Sequence, residues 1–344
     1  MRIREQRVRI EDVAEAAGVS IMSVSRAMRG VEGVGQDTRA RILNAAKTLG
    51  YQPSRVAASL SGANSTLIAI SVPTLFEAVF AEILDGMRDV LIHAGFDTVI
   101  ETSDYSVERE AAWVERMIAW APAGLVLSGV AHDERIRARL ATSGLPVLEV
   151  WDFADDPIDL CVGVDHRAAG LDMGRHLAAL GYRRPAYVGV AAGRDARAEK
   201  RFAGLASGFA EAGAAFAADI RMDDAASFQA GFEGAGRALA ALSAPPDVIC
   251  FLNDHMAFGG LMACAGQGLD APEAIGVTGF NGLNINAVLP KSLTTSITPR
   301  RRMGGIAARQ LIARIRGVSD APAVKLPVKL FAGETTRAQR ARPE

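Results

Sequence analysis

The chain has 344 residues, a net charge of −1 and 49% hydrophobic residues, so it is long for one domain and has ample apolar content for a buried core. No apolar run reaches the length that a membrane span requires. The basic N-terminus MRIREQRVRI lacks the apolar stretch of a secretory signal, so we expect a cytoplasmic protein without a membrane partner.

The segment EDVAEAAGVSIMSVSRAMRG, residues 11–30, predicts two short helices joined by a tight turn. Gly18 would end the first helix, and Ser20 can cap the second because its hydroxyl accepts a backbone N–H at a helix start. Val24 and Met28 would face the core. A third helix is predicted over 35–49, followed by YQPSRVAASLSG, which places a proline at a helix start.

This arrangement is typical of a helix-turn-helix, which sets the first turns of its second helix against base edges in the major groove. An ordinary helical hairpin with a solvated polar face is the alternative. Charge favours the first interpretation: residues 1–62 hold ten basic and six acidic residues, a net charge of +4, which leaves −5 for the remainder. A basic module on an acidic body suits binding to a phosphate backbone.

Beyond residue 66, short apolar runs alternate with helical segments. The run LIAISV at 67–72 is continuous, as expected of a strand buried on both faces. Further strands are predicted at 98–101, 124–128, 146–150, 161–164, 186–190, 248–252 and 275–278, and helices at 79–93, 107–120, 133–141, 167–180, 199–212, 227–242, 255–267 and 299–316. This alternation predicts parallel sheets with helices on both faces, in two α/β units.

Catalytic motifs are missing from the sequence. The five histidines are scattered without an HExxH spacing, and neither GxSxG nor GxxxxGK[ST] occurs. An α/β body can still host an enzyme or a solute-binding protein, so both stay open as alternatives of a different class. We expect no enzyme activity, no cofactor and no metal. The three cysteines lack close spacing, which favours buried, reduced thiols.

The segments IEDVAEAAGVSIMSVSRAMRG and GYQPSRVAASL closely resemble the DNA-binding head and hinge of the LacI/GalR family of bacterial transcription regulators. The resemblance implies an all-α helix-turn-helix head and a two-lobed body like a periplasmic binding protein, with a doubly wound parallel sheet in each lobe. The implied bounds are 1–52 for the head, 53–64 for a hinge helix, 65–163 and 294–321 for the N-terminal lobe, and 164–293 and 322–344 for the C-terminal lobe. The chain would cross between the two lobes near residues 164, 292–297 and 321–324.

The resemblance also implies a homodimer that binds double-stranded DNA at a pseudo-palindromic operator. The hinge would fold on DNA, with Leu60 wedged between base steps of the minor groove. The C-terminal FAGETTRAQRARPE lacks leucine heptads, so a tetramer is not expected. The expected DNA-contacting residues are Ser20, Ile21, Met22, Ser23, Ser25, Arg26, Arg29, Thr38, Arg55 and Leu60.

A ligand cleft is implied between the lobes, where loops follow the carboxyl ends of strands. For every candidate residue there, the alternative is a loop residue that caps a helix or packs locally, and Asp254 in particular could cap the next helix. The expected effector-binding residues are Thr74, Phe76, Phe80, Trp151, Arg201, Asn253, Asp254 and Asn281.

The motif GFNG at 279–282 departs from the GFDD of many sugar-binding members. Asn281 removes a negative charge from the cleft while Arg201 keeps a positive one, which favours an anionic sugar acid over a neutral sugar. Glu149 and Asp152 would weaken this argument if they faced the cleft. LTTSITPRRRMGGIAARQLIARIRG resembles the gluconate-utilisation repressor branch, which implies a gluconate-type aldonate that releases the operator. A corepressor-dependent or neutral-sugar-responsive regulator is the alternative.

Overall fold

The computed structural model describes residues 8–28, 30–51, 65–223, 225–318 and 323–338. The predicted hinge with Arg55 and Leu60 lies outside these residues, as does Arg29. The chain divides into two compact units, Met1–Ser65 and Thr66–Glu344.

The first unit is a three-helix head around a small core. Its helices are α1 (Ile10–Ala17), α2 (Ile21–Met28) and α3 (Gln36–Leu49). Val13, Val24 and Ile42, one from each helix, are fully buried against one another. The Ser20 hydroxyl accepts the backbone N–H of Ser23 at 3.2 Å, so the predicted cap of the second helix is confirmed.

The second unit contains two parallel sheets and a small antiparallel pair. Its strands are β1 (Leu67–Val72), β2 (Asp97–Thr102), β3 (Gly124–Ser128), β4 (Val147–Asp152), β5 (Leu160–Val164), β6 (Pro185–Val190), β7 (Ala218–Met222), β8 (Val248–Phe251), β9 (Gly276–Thr278), β10 (Thr295–Ile297), β11 (Ala323–Leu326) and β12 (Lys329–Phe331). The first sheet has the order β11-β5-β4-β3-β1-β2 and the second β7-β6-β8-β9. The two doubly wound sheets confirm the expected fold class.

Eight helices cover the sheets within the described part of the second unit. They are α4 (Ala78–His93), α5 (Val107–Ala119), α6 (Glu134–Ser143), α7 (His166–Ala179), α8 (Ala196–Ala210), α9 (Phe228–Ala240), α10 (Asp254–Gly266) and α11 (Arg300–Ile315). A 3₁₀ helix spans Asn284–Val288. Each lobe buries its own apolar core, one around β1 and β4 and the other around β6 and β8.

The lobe boundaries near the C-terminus need a correction. Residues 322–344 were expected wholly in the C-terminal lobe, yet β11 pairs in parallel with β5 at the edge of the first sheet. The chain crosses only afterwards, so that β12 pairs with β10. β10 in turn lies beside the second lobe, because Asn281 and Ile297 form a bridge. The segment AVKLPVKLF resembles one strand, but Pro327 separates two short ones.

Strand β7 was missed in the sequence. It is an edge strand that pairs only with β6, and its sequence ADIRM places Asp219 and Arg221 between apolar residues. An edge strand has one exposed margin and needs no continuous apolar run, so its pattern is weak.

Helices α4 and α11 meet backbone to backbone in the first lobe. A Cβ atom on Gly86 would lie 2.1 Å from the carbonyl oxygen of Arg301, and one on Gly304 would lie 2.0 Å from that of Ile83. Only glycine permits this approach, which holds the two helices in a single register.

Candidate functional site

A cleft of about 160 Å³ opens between the two lobes of the second unit. One wall consists of loops that follow β1, β2, β3 and β4, and the other is the start of α8 with the loop before it. The carboxyl ends of parallel strands meet here, as in open α/β folds that bind ligands. The lining residues include Pro73, Ser103, Tyr105, Glu110, Ser128, Asp152, Arg194, Asp195 and Arg197.

Two guanidinium groups in this region share one carboxylate. Arg197 Nε donates to Asp195 Oδ1 at 2.8 Å, and Arg201 Nη2 lies 3.9 Å from Asp195 Oδ2. All three side chains are nearly buried. Burial alone would raise the pKa of the Asp195 carboxyl, but the two arginines lower that pKa to about 2. Asp195 is therefore ionised and neutralises one of the two guanidinium charges, while the Glu77 carboxyl, whose pKa burial raises, also interacts with both arginines.

Polar contacts join the two lobes across the cleft. Arg197 Nη1 donates to Ser128 Oγ at 3.1 Å, and Lys200 Nζ donates to Asp152 Oδ2 at 2.6 Å. An unpaired carboxylate at Asp152 would weaken the preference of the cleft for an anionic ligand, because this side chain faces the cleft. The structure pairs it with Lys200, so it adds no net negative charge to the wall.

Arg201 lies in a cluster of rings behind the cleft. Its guanidinium is 4.5 Å from the centre of the Phe280 ring and donates from Nη1 to His166 Nδ1 at 3.1 Å. His166 contacts Trp151 edge to face, with centroids 5.0 Å apart. Burial, followed by the charge of Arg201, holds the pKa of His166 well below its usual value, so this imidazole is neutral. The expected residues Trp151 and Arg201 thus belong to one cluster.

The three expected polar residues of the second lobe have different surroundings. Asn253, not Asp254, caps α10 by accepting the Met256 N–H at 3.0 Å, which leaves its buried Nδ2 without a protein partner. The Asp254 carboxylate accepts Leu283 N–H at 2.7 Å and the Thr295 hydroxyl, so both oxygens brace the loop. The buried Oδ1 of Asn281 also has no protein partner.

The remaining expected residues come from the loop after β1 and the start of α4. Phe80 is buried, with the Arg197 guanidinium 5.7 Å from its ring centre. Thr74 accepts the backbone N–H of Phe76 at 3.1 Å. Phe76 itself is 98% exposed, so this structure brings Phe80 to the site but not Phe76.

Glu149, the second acid of concern, is fully buried away from the cleft lining. Its Oε1 lies 3.3 Å from His132 Nε2, while His132 Nδ1 bonds Glu110 Oε1 at 2.6 Å. Burial opposes the charged imidazole, but the two carboxylates raise the pKa of His132 to about 9. The protonated histidine offsets one charge of this acidic pair, Arg137 lies 3.8 Å from Glu149, and the histidine supports the loop that leads from β3 into the cleft wall.

Sequence reasoning overlooked Tyr105, Asp195 and Arg197. Tyr105 donates to Glu77 Oε1 at 2.5 Å and lies beneath the Arg197 guanidinium, 5.6 Å from its ring centre. Asp195 and Arg197 lie in the charged run AGRDARAEKRF after β6, whose density of charges was the available signal. That signal does not reveal that Tyr105 of the first lobe contacts Arg197.

The head presents the expected recognition residues on one side of α2. Ile21 and Met22 are 46% and 59% exposed, and Ser20 and Arg26 are exposed as well. Ser23, Ser25 and Thr38 are half-buried. Exposed apolar side chains at the start of a helix suit contact with thymine methyl groups, and arginine suits guanine.

Other kinds of site were searched in the described residues. There, no group of three or more His, Cys, Asp or Glu side chains is placed to hold a metal ion. None of the described helices is long and apolar enough to cross a membrane. All three cysteines are buried and free.

Comparison with known proteins gives matches along nearly the whole chain. Residues 9–54 match the bacterial regulatory protein lacI family, and residues 175–336 match a periplasmic binding protein-like domain. The HTH-type transcriptional regulator GntR of Escherichia coli K12 is 33% identical over 93% of this chain and 96% of its own.

Comparison with solved structures gives matches to the same family. A LacI-family transcriptional regulator from Silicibacter pomeroyi superposes with a TM-score of 0.89 at 34% identity, covering 96% of this chain and all of that one. The lac repressor dimer bound to operator and the anti-inducer ONPF gives a TM-score of 0.81 at 25% identity over 97% of this chain and all of that one. The helix-turn-helix, the two-lobed body and these matches agree: the chain belongs to the LacI family of bacterial regulatory proteins, which regulate transcription and are not enzymes.

Proposed function

We propose that this regulator represses sugar-acid utilisation genes and is released from its operator when a gluconate-type aldonate binds between the lobes. One observation carries the proposal: Arg197 and Arg201 share a single carboxylate, Asp195, beside the cleft. Two guanidinium groups that share one paired carboxylate favour an anion, and a guanidinium pairs well with a carboxylate. The resemblance to the gluconate-utilisation branch supports the same ligand class.

The hydroxyl groups of an aldonate need neutral partners. Asn253 Nδ2 and Asn281 Oδ1 are a buried donor and a buried acceptor without protein partners. A buried polar atom left unpaired is costly, so a ligand that satisfies it is favoured. We propose Arg201, Arg197, Asn253 and Asn281 as polar contacts, with Trp151, Phe80 and Thr74 as wall residues and Asp254 as a brace of the 281–283 loop; the fully exposed Phe76 is left out of the proposed wall.

DNA binding is assigned to α2 of the head. Ser20, Ile21, Met22, Ser23, Ser25 and Arg26 would contact the major groove, supported by Thr38 and Arg29, while Arg55 and Leu60 of the hinge would contact the minor groove. Because the target is DNA, we place the protein in the cytoplasm. A ligand can release the operator only by binding more tightly to one arrangement of the lobes than to the other.

Thermal melting against a ligand panel tests the effector. Gluconate at about 100 times its dissociation constant should add roughly 2.7 kcal/mol to the free energy of unfolding, a shift of a few degrees. Glucose is the neutral-sugar control: it lacks the carboxylate charge and is a closed ring, whereas gluconate is an open chain. Stabilisation by glucose and not by gluconate would contradict the aldonate proposal.

Operator binding then gives the sign of the response. Gluconate should weaken binding of the purified protein to its operator in a mobility-shift or anisotropy assay. Tighter binding in the presence of gluconate would instead establish a corepressor-dependent regulator, the alternative within this family.

An exposed apolar surface on the second lobe fits the proposed homodimer. Phe228, Phe232 and Met262 of α9 and α10 are each about half exposed, and Ile285 lies beside them. A contiguous apolar surface of this kind marks a protein interface, and the related lac repressor is a dimer. We propose that a second copy of this chain covers it.

Phe232→Asp should disrupt the dimer, because a buried unpaired carboxylate at a two-fold interface is costly in both copies. Sedimentation should show a monomer whose melting curve indicates an intact fold. Phe76→Asp, which alters a phenylalanine outside this surface that is 98% exposed against 47% for Phe232, should leave the dimer unchanged. A dimeric Phe232→Asp protein would remove this surface from the interface.

A further inference from the structure

Arg300, the first residue of α11, contacts both lobes although its side chain is only 4% exposed. On the first lobe, its Nε and Nη2 donate to the two carboxylate oxygens of Glu82 at 3.0 and 3.2 Å. Glu82 belongs to α4, two residues beyond Phe80 of the cleft. This bidentate pair joins the starts of α4 and α11.

The other donors of Arg300 bind the second lobe. Nη2 also donates to the Gly282 carbonyl at 3.2 Å, and Nη1 donates to the Asn281 carbonyl. Nη1 further donates to the Thr298 hydroxyl at 2.9 Å. A single planar guanidinium therefore binds the GFNG loop and α4 together, which a lysine ammonium cannot reproduce because it lacks the fork of donors.

The backbone that Arg300 holds is strained. Asn281 has a φ of +121°, a conformation that residues other than glycine rarely adopt. Its N–H donates to the Ser296 carbonyl at 2.9 Å, and its own carbonyl accepts from Thr298 as well as Arg300. Such strain persists only when the surroundings determine it, and it is concentrated at functional sites.

We infer that Arg300, paired with Glu82, is a positioning residue of the effector site, which sets the backbone of residues 281–282 and ties it to α4 of the other lobe. The inference rests on the proposed function in one respect, the role of Asn281 as a ligand contact. A ligand that moves the 281–282 loop would move α4 through this guanidinium, and a displacement of α4 would alter the site in return.

The next residue along α11 supplies a matched control. Arg301 also pairs with α4, donating to Asp89 at 2.6 Å and to Asp85. Its side chain is 62% exposed, and these bonds do not involve the GFNG loop. Asp85→Asn therefore weakens an ion pair between the same two helices without touching the proposed connection.

Hydrogen–deuterium exchange of the full-length, ligand-free protein tests the connection without any effector. Glu82→Gln and Arg300→Lys should each speed exchange of the backbone amides at 281–283, although Glu82 belongs to the other lobe. Asp85→Asn should leave those amides at the wild-type rate. Wild-type exchange at 281–283 in both Glu82→Gln and Arg300→Lys would overturn the inference.

Calorimetric titration with gluconate then tests the consequence for binding. Glu82→Gln should weaken gluconate binding and reduce the gluconate-dependent change in operator affinity by about 2- to 30-fold, the range of residues that couple two sites. Asp85→Asn should change neither the affinity for gluconate nor the operator response.

If the wild type does not bind gluconate while exchange at 281–283 responds to Glu82→Gln, the aldonate proposal fails and the positioning role stands. If gluconate binds the wild type and Glu82→Gln equally, with the same operator response, the positioning role fails and the aldonate proposal stands.

Discussion

Replacing Arg201 with methionine should lower the affinity for gluconate by roughly 30-fold or more, because a buried charge pair that loses one partner costs about 2–5 kcal/mol of binding free energy. The variant should still fold. Asp195 keeps its 2.8 Å bond to Arg197, and methionine preserves the apolar contact with Phe280. Calorimetric titration gives the affinity, and the melting temperature without ligand verifies the fold.

Two further variants make the Arg201 result specific. Arg201→Lys keeps the charge but loses the planar fork, so its affinity should lie between those of the wild type and Arg201→Met. Arg194→Met removes another arginine of the cleft wall, whose Nη1 donates to the Asp223 carbonyl, and should have a smaller effect. Gluconate binding by Arg201→Met at wild-type affinity would show that this guanidinium does not face the carboxylate.

Replacing His132 with glutamine should reduce the free energy of unfolding by about 3–5 kcal/mol, the cost of removing one partner from a buried ion pair. The protonated imidazole lies between the carboxylates of Glu110 and Glu149, and its side chain is 1% exposed. Without it, the two buried acids keep one cationic neighbour among the described residues, Arg137, which lies 3.8 Å from Glu149. Urea denaturation at neutral pH measures the loss.

The effect of His132 should depend on pH in a defined direction. Its pKa in the folded protein is about 9, above the ordinary 6.5, so the stabilisation is fully present below about pH 6.5 and is lost as the pH rises through about 9. The stability difference between wild type and His132→Gln should therefore shrink between pH 6.5 and 9.5. His93→Gln, at an exposed histidine of α4 outside this ion pair, is the control for the substitution itself and is measured over the same pH range. A difference that does not vary with pH would mean that His132 is not charged.

The sheets were predictable because their strands are buried on both faces. LIAISV at 67–72 and GLVLS at 124–128 are continuous apolar runs, and both strands were placed at their observed bounds. The edge strands β2 and β9 were also predicted, but β7, β11 and β12 could not be read in this way. In β7, Asp219 and Arg221 interrupt the apolar pattern, and β11 and β12 are short strands separated by a proline.

Motifs located part of the candidate site, but its charge balance depends on tertiary contacts. Arg201 and Asn281 were identified within segments that resemble the family, whereas the partners of Glu149 and Asp152 come from other elements of the chain. His132 comes from the loop after β3, and Lys200 crosses the cleft from α8. Pairing across loops and lobes leaves no periodic signal, so an acidic residue in the sequence could not be classified as free or compensated.

The glycine contacts between α4 and α11 make that pair of helices move as one rigid body. Because Gly86 and Gly304 bring the two backbones together, the helices cannot slide past each other or bend independently. The distance from Glu82 to His93 along α4 is roughly 16 Å at 1.5 Å per residue. A rotation of about 5° at the Arg300 end would carry the far end through roughly 1.4 Å, given that length. A small rotation at the Arg300 end would therefore be carried by the paired helices to their distal ends as a larger displacement.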